Sequence, residues 1–247
     1  MSDTTHTTAA MIVIGNEILS GKVEDSNSPF LARTLRSAGV SLERVIVIPD
    51  DVETIASTVA KYSQRYDLVF TSGGVGPTHD DITVAGVAMA FDAAVVHAAP
   101  LKELIEKHVG SDPSSPYMKM AEVPDGAELV EGGASNFPTV VMKNVYVLPG
   151  IPEIFEKKIE ALADRFATRP FHLRQVLVNE NEAKIADYLN ATLDAFPELM
   201  LGSYPKLSHP EYSVRLTLES KDEQYLDAAL DDLVERLPSE FIVRIEK

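Results

Sequence analysis

The stretch VFTSGGVGPTHDDIT, Val69 to Thr83, ends an apolar run in three glycines, Gly73, Gly74 and Gly76, and follows them closely with Asp80 and Asp81. Glycine accepts positive φ and lets a ligand approach backbone N–H groups, so such a loop can hold an anion without a cationic side chain. Neighbouring carboxylates suit a hard divalent cation or proton transfer. Together they pair a phosphate cradle with ligands for a metal. The spacing is not G-x-G-x-x-G and no G-K-[ST] follows, so neither a dinucleotide fingerprint nor a P-loop is indicated. A plainer reading is also open: the glycines only turn the chain, and Thr78 caps a helix with Asp81 near its positive end.

Two further loops carry carboxylates after apolar runs. GNEILSGKVEDSN sets Gly15, Asn16 and Glu17 behind the first run, and IPDDVET places Asp50 and Asp51 where a helix begins. Either aspartate alone reads as an ordinary N-cap. Carboxylates at three strand ends would repel one another unless a cation lay among them, and all-oxygen ligands suit Mg²⁺, Mn²⁺ or a similar hard ion. LPGIPE forms a fourth strand-to-helix turn, with Gly150 giving backbone freedom and Pro152 near the first helical position. His79 reads either as a ligand or proton carrier or as a solvated loop histidine.

The elements that must position these residues alternate. AMIVIG, RVIVIP and DLVFTSG are short β-branched runs of the kind expected for parallel strands buried on both faces. Between them, Phe30, Leu31, Leu35 and Ala38 share one helical face, and Val52, Ile55, Val59 and Tyr62 another. The β-α-β-α-β-α order predicts an α/β fold with a mostly parallel sheet and helices on both sides. A helix is expected over about Asp81–Phe91, then the short run AAVVH, then the helical APLKELIEKHVG. Residues 112–136 read as irregular, with a short helix near Met118. TVVMKNVYVLPG predicts a hairpin turning at Lys143-Asn144, followed by a helix from Ile151. Thr168-Arg169-Pro170 reads as a hinge, dividing the chain into domains 1–168 and 169–247. The second shows the β-α-β-β-α-β order of a small split βαβ, α+β domain.

The chain has 247 residues, 45% hydrophobic and 24% charged, the composition of a folded globular protein. Its formal net charge of −16 opposes nucleic acid and anionic membrane surfaces. Any phosphate-bearing ligand must therefore be drawn by backbone dipoles or a metal cation. Cysteine is absent, which removes disulfides and thiolate metal sites. The opening MSDTTHTTAA lacks a basic and an apolar leader region, and no long apolar run follows, so a cytoplasmic location is expected.

GNEILSG, Ser26-Asn27, PDD, SGGVGPTHDD and LPGIPE together resemble the MoaB/Mog family of molybdopterin-binding domains, in the branch of the CinA N-terminal domain. NVYVLPGIPE and LGSYP…YSVRLTLES extend the resemblance to the N-terminal domain of animal FAD synthase, across nearly the whole chain. The resemblance implies a three-layer α/β/α domain with its site at the glycine loop. It implies a small-molecule partner, either a pterin or a nucleotide diphosphate such as ADP-ribose or FAD cleaved with a divalent metal to release AMP. Carried over by position, Asp50 and Asp81 match functional aspartates. Gly73, Gly74 and Gly76, with Pro77 and Thr78, match the phosphate cradle, and Gly15, Asn16, Ser26, Asn27, Gly150 and Pro152 fall in the substrate-binding motifs. Asp80 stands where some pterin-handling relatives have arginine, which favours a metal site. The expected metal ligands are Glu17, Asp80 and Asp81, with Asp50 as a further candidate. Asp50 or Asp51, if free of metal, would accept a proton from water. The expected cations are Mg²⁺, Mn²⁺ or Co²⁺, with K⁺ as an additional one, and a homo-oligomer is implied. The sequence given ends at Lys247 without an amidohydrolase or adenylyl-transfer domain, so those activities are not expected. Molybdopterin binding or adenylyl transfer, and a non-catalytic regulatory module, remain the alternatives to hydrolysis.

Overall fold

The computed structural model describes residues 7–110, 112, 114–131, 137–206 and 210–246. Residues 1–6, the first part of the leader reading, and part of the 112–136 stretch lie outside them. By contact density the chain divides into two units, Met1–Thr168 and Arg169–Lys247.

The first unit runs β1 (Thr8–Ile14), a one-turn α1 (Asn16–Leu19), α2 (Asn27–Ser37), β2 (Ser41–Ile48), α3 (Val52–Arg65), β3 (Leu68–Ser72), α4 (Thr83–Ala90), β4 (Val95–His97) and α5 (Ala99–Val109). A 3₁₀ turn (Pro116–Ala121) leads to β5 (Glu122–Pro124), β6 (Glu128–Val130), β7 (Thr139–Met142), β8 (Val145–Leu148) and α6 (Pro152–Phe166). Six strands form one sheet in the order β2-β1-β3-β8-β7-β6. The pairs β1–β2, β1–β3 and β3–β8 are parallel, whereas β7 and β6 are added antiparallel.

Strand alternation sends successive β1 side chains to opposite faces. Ala10, Ile12 and Ile14 join a core with Ile55, Val59 and Val87, from α3 and α4, and Leu101 and Ile105 from α5. Ala9, Met11 and Val13 join Leu31 and Leu35 of α2 and Phe155, Ile159, Leu162 and Phe166 of α6. This is the expected three-layer, mostly parallel α/β/α arrangement.

Three details depart from expectation. β2 is an edge strand with Val45 exposed, so RVIVIP is not buried on both faces. Two strands, β5 and β6, stand in the stretch read as irregular; β5 pairs β4 in a separate two-stranded ribbon. The GNEILSG segment opens as the short helix α1 rather than as a loop.

The second unit comprises β9 (His172–Val178), α7 (Glu182–Ala195), β10 (Met200–Pro205), β11 (Val214–Ser220), α8 (Glu223–Arg236), a 3₁₀ turn (Ser239–Phe241) and β12 (Ile242–Glu246). Its sheet is antiparallel in the order β10-β11-β9-β12, the split βαβ arrangement. Val176, Leu216 and Leu218 pack against Ile185, Leu226 and Leu230 of the two helices. Among the described residues no helix of the chain is long and apolar enough to cross a membrane.

The carboxyl ends of β1, β3 and β8 converge on Gly73. Its N–H donates to the Leu148 carbonyl at 3.1 Å. Its φ is +106°, and an added Cβ would lie 2.2 Å from the Ile14 carbonyl oxygen. A Cβ on Gly150 would in turn sit 3.4 Å from the Gly73 Cα. Both the dihedral and the contact with backbone demand glycine at 73. Gly73→Ala is expected to cost about 2 kcal/mol or more in urea unfolding, because the clash is with main chain that cannot turn aside.

Candidate active site

Beyond Gly73 the chain folds back on the start of α4. Gly74, with φ +65°, accepts the Thr83 N–H at 3.0 Å, and the Thr83 hydroxyl donates to the Gly73 carbonyl at 2.8 Å. The turn is thereby fixed from both ends. Among the described residues nothing accepts a hydrogen bond from the N–H groups of Gly74, Val75 or Gly76. Consecutive unengaged amides of this kind are an anion-binding device.

The next residues close a second turn. Thr78 donates its N–H to Asp81 Oδ2 at 2.7 Å, and its hydroxyl reaches the same oxygen at 2.6 Å and Asp80 Oδ1 as well. Thr78 therefore does not cap α4, which starts five residues later at Thr83 with Ile82 as its N-cap. A hydroxyl has one proton, so it serves one of the two carboxylates at a time. The Thr78 hydroxyl holds the Asp80 carboxyl below its usual range. His79 is a solvated loop side chain, 3.9 Å from Asp80.

A cleft of about 680 Å³ opens beside this loop, within the usual size for a small-molecule site. Of the residues expected from sequence, Glu17, Ser26, Asn27, Gly73, Gly74, Gly76, Pro77, Asp81, Gly150 and Pro152 line it. Gly15, Asn16, Asp50, Asp51, Thr78 and Asp80 are not on its wall. Asp50 accepts the Asn16 N–H at 2.8 Å, tying the end of β2 to α1. Asp51 is the N-cap of α3, accepting from the Thr54 N–H at 2.8 Å and hydroxyl at 2.6 Å, bonds that lower its pKa. The plain cap reading is thus correct for Asp51. The expected gathering of carboxylates from three strand ends is not formed: among the described residues no three His, Asp or Glu side chains come together as a metal cage.

Asn27 joins three elements at the base of the cleft. Its Nδ2 donates to Ser72 Oγ at 2.9 Å and to the Gly150 carbonyl at 3.0 Å, while its buried Oδ1 has no partner among the described residues. The wall also carries two cations that lie outside the loop motifs. Lys119, on the 3₁₀ turn, donates to the Thr78 carbonyl at 2.5 Å. Lys158, on α6, is 5% exposed and donates to the Phe137 carbonyl at 2.6 Å, with Thr139 Oγ1 at 3.4 Å. Its sequence signal was its place between Phe155 and Leu162, a charge on the apolar stripe of an amphipathic helix.

Residues 10–171 match the family described as "Probable molybdopterin binding domain". The chain belongs to this molybdopterin-binding-domain family. Residues 170–246 match the family described as "FAD synthase, middle domain". A protein of Archaeoglobus fulgidus is 36% identical over 92% of this chain and 96% of its own length. A "Probable FAD synthase" of Caenorhabditis elegans is 31% identical over 95% of this chain and 51% of its own, so the chain spans about half the length of that relative. The solved structure of the protein CinA from Thermoplasma acidophilum superposes with a TM-score of 0.60 at 30% identity, over 65% of this chain and 98% of that one. These matches bear out the CinA-type resemblance and the fold that it implies.

In this member of the molybdopterin-binding-domain family, no carboxylate among the described residues pairs with Lys158, and desolvation lowers its pKa from 10.5 to about 8. Between those values the unfolded chain binds more protons than the folded one, so this residue's contribution to stability rises with pH. Below about 8 the buried ammonium is a constant cost. The unfolding free energy of the native protein, compared with that of Lys158→Met, is expected to gain about 3 kcal/mol as pH rises from 7.5 to 10.5, measured by chemical denaturation.

Proposed function

We propose that the first unit hydrolyses a nucleotide diphosphate such as ADP-ribose or FAD and releases AMP, with the aid of a divalent cation. The observation that carries this reading is the run of amides at Gly74, Val75 and Gly76, without acceptors among the described residues, on the wall of the same cleft as Glu17 and Asp81. The amides take phosphoryl oxygens and stabilise the charge that builds on them during substitution at phosphorus. Water adds across the P–O–P bridge: its oxygen bonds to the phosphorus of the AMP half, and the bridging oxygen leaves with the other phosphate.

The residues present fit Mg²⁺, Mn²⁺ or Co²⁺ in the manner of ions that are completed by substrate phosphates and water rather than caged by protein alone. Asp81, whose Oδ2 is engaged by Thr78 and whose Oδ1 is not, would hold the ion together with substrate oxygens. When bound, such an ion polarises the phosphoryl group and acidifies water. The Glu17 carboxylate has no hydrogen-bond partner among the described residues and, on the cleft wall, would accept the water's proton. Asp50 and Asp51, off the wall and engaged elsewhere, act instead by fixing α1 and α3. Asn27 Oδ1 offers an unused acceptor to a ligand hydroxyl or N–H. Assembly as a homo-oligomer belongs to the same reading.

A second reading, molybdopterin binding without cleavage, is favoured by the family's description and by an apolar wall that includes Val84, Met120, Val140 and Val147. AMP release from ADP-ribose and FAD, assayed with each cation, with and without K⁺, and with a chelator, separates the two. Metal-dependent release is expected, and Asp81→Ala should lower it at least about 100-fold while the protein still melts cooperatively. Full activity in a folded Asp81→Ala protein, or tight pterin binding with no release under any condition, would defeat the hydrolase reading.

A further inference from the structure

Lys158 has no function in the scheme above, and its position is costly. An ammonium removed from water is stabilised by neutral acceptors only in part, and a buried charge without a counter-charge is rare. The Phe137 carbonyl and Thr139 Oγ1 use two of its three N–H groups, the second through a long bond. The third donor has no acceptor among the described residues, and the side chain lies on the cleft wall.

Its place along the cleft separates it from the phosphate end. Pro152 starts α6 two residues after Gly150, which abuts the glycine loop. Lys158 is six residues farther on, or roughly 9 Å along the helix axis. The cation at the glycine-loop end is Lys119, fixed to the Thr78 carbonyl. Around Lys158 the wall is apolar, with Phe137, Val140, Val147 and Ile154. A second apolar hollow of about 410 Å³ adjoins through Tyr117, Met120 and Phe137, which line both spaces. Flat aromatic groups suit such walls, and a single buried donor fixes their orientation.

We propose that Lys158 is a specificity residue that donates a hydrogen bond to an exocyclic ring carbonyl of a planar heteroaromatic ligand whose phosphate end lies on the Gly74–Gly76 amides. The proposal deepens the hydrolase reading by naming the part of the substrate that is read. A flavin and a pterin share this carbonyl; adenine lacks it. The cleft then orients its ligand by two unlike contacts, backbone amides at one end and an ammonium at the other.

Binding measured by calorimetry without turnover, in the presence of chelator, tests the proposal on the whole chain. The probes are FAD, riboflavin and 6-hydroxymethylpterin, which carry the ring carbonyl, with ADP-ribose and AMP, which do not. In Lys158→Met the three carbonyl ligands should bind at least tenfold more weakly, whereas ADP-ribose and AMP should change by less than twofold. Losses among FAD, riboflavin and pterin also distinguish a flavin reader from a pterin reader, since the natural ring shows the larger loss. Lys158→Leu, which also lacks a donor, provides the same comparison if the methionine variant fails to fold. Unchanged FAD, riboflavin and pterin affinity in a folded variant would overturn the proposal, as would an equal loss for ADP-ribose. Because no cleavage is read, a protein that binds these probes and hydrolyses none of them counts against the hydrolase reading alone.

Discussion

The cleft depends on the close approach of three strand ends at Gly73. Its N–H is taken by Leu148, its Cα faces Gly150, and the space a side chain would need is filled by the Ile14 carbonyl. With Gly73 pinned, the turn that follows has its carbonyls satisfied by Thr83, and the next three N–H groups are left without acceptors among the described residues. The usual location of ligands in open α/β sheets, beyond the carboxyl ends of strands, thus has a local cause in this chain. Asn27 reinforces the same junction from α2 by linking Ser72 to Gly150.

Electrostatics then sort the acidic side chains. In a chain of net charge −16, carboxylates at adjoining strand ends would repel if they all pointed into one space. Local hydrogen bonds divert most of them: Asp50 to the start of α1, Asp51 to the cap of α3, and Asp80 to the Thr78 hydroxyl. Glu17 and Asp81 remain on the wall, with Glu24, Asp25 and Glu122. In the proposed reading a phosphate ligand in such a place would be held by amides and a shared cation, and the buried ammonium of Lys158 lies farther along the cleft.

Much of this was legible in the residues, and the failures have physical reasons. β1 and β3 announced themselves as continuous β-branched runs, and the Lys143-Asn144 turn is real, with Lys143 at φ +55° between Met142 and Val145. RVIVIP looks the same as a buried strand, yet β2 lies at the sheet edge; sequence composition does not specify how many neighbours a strand has. β5 and β6 are three residues each, too short to show a period, and are defined by their partners β4 and β7. The glycines identified the turn, since Gly73 and Gly74 take positive φ and a Cβ at either would meet Ile14 or Thr83. The carboxylates misled, since an N-cap aspartate and a metal ligand look identical until their hydrogen bonds are known. Lys158 was not legible from the loop motifs, because its signal was a charge inside the apolar stripe of α6.

The lining of the cleft comes from two parts of the chain, residues 13–84, which carry the glycine turn, and residues 117–158, which carry Lys158 and much of the apolar wall. The second segment joins the sheet largely through the local β6–β7–β8 meander, whereas the first relies on parallel crossovers. Away from Gly150, substitution in the later segment can therefore reshape the apolar wall while the glycine turn, held at Thr83, keeps its geometry. What a ligand meets away from the turn can in this way change while the turn itself is left as it is.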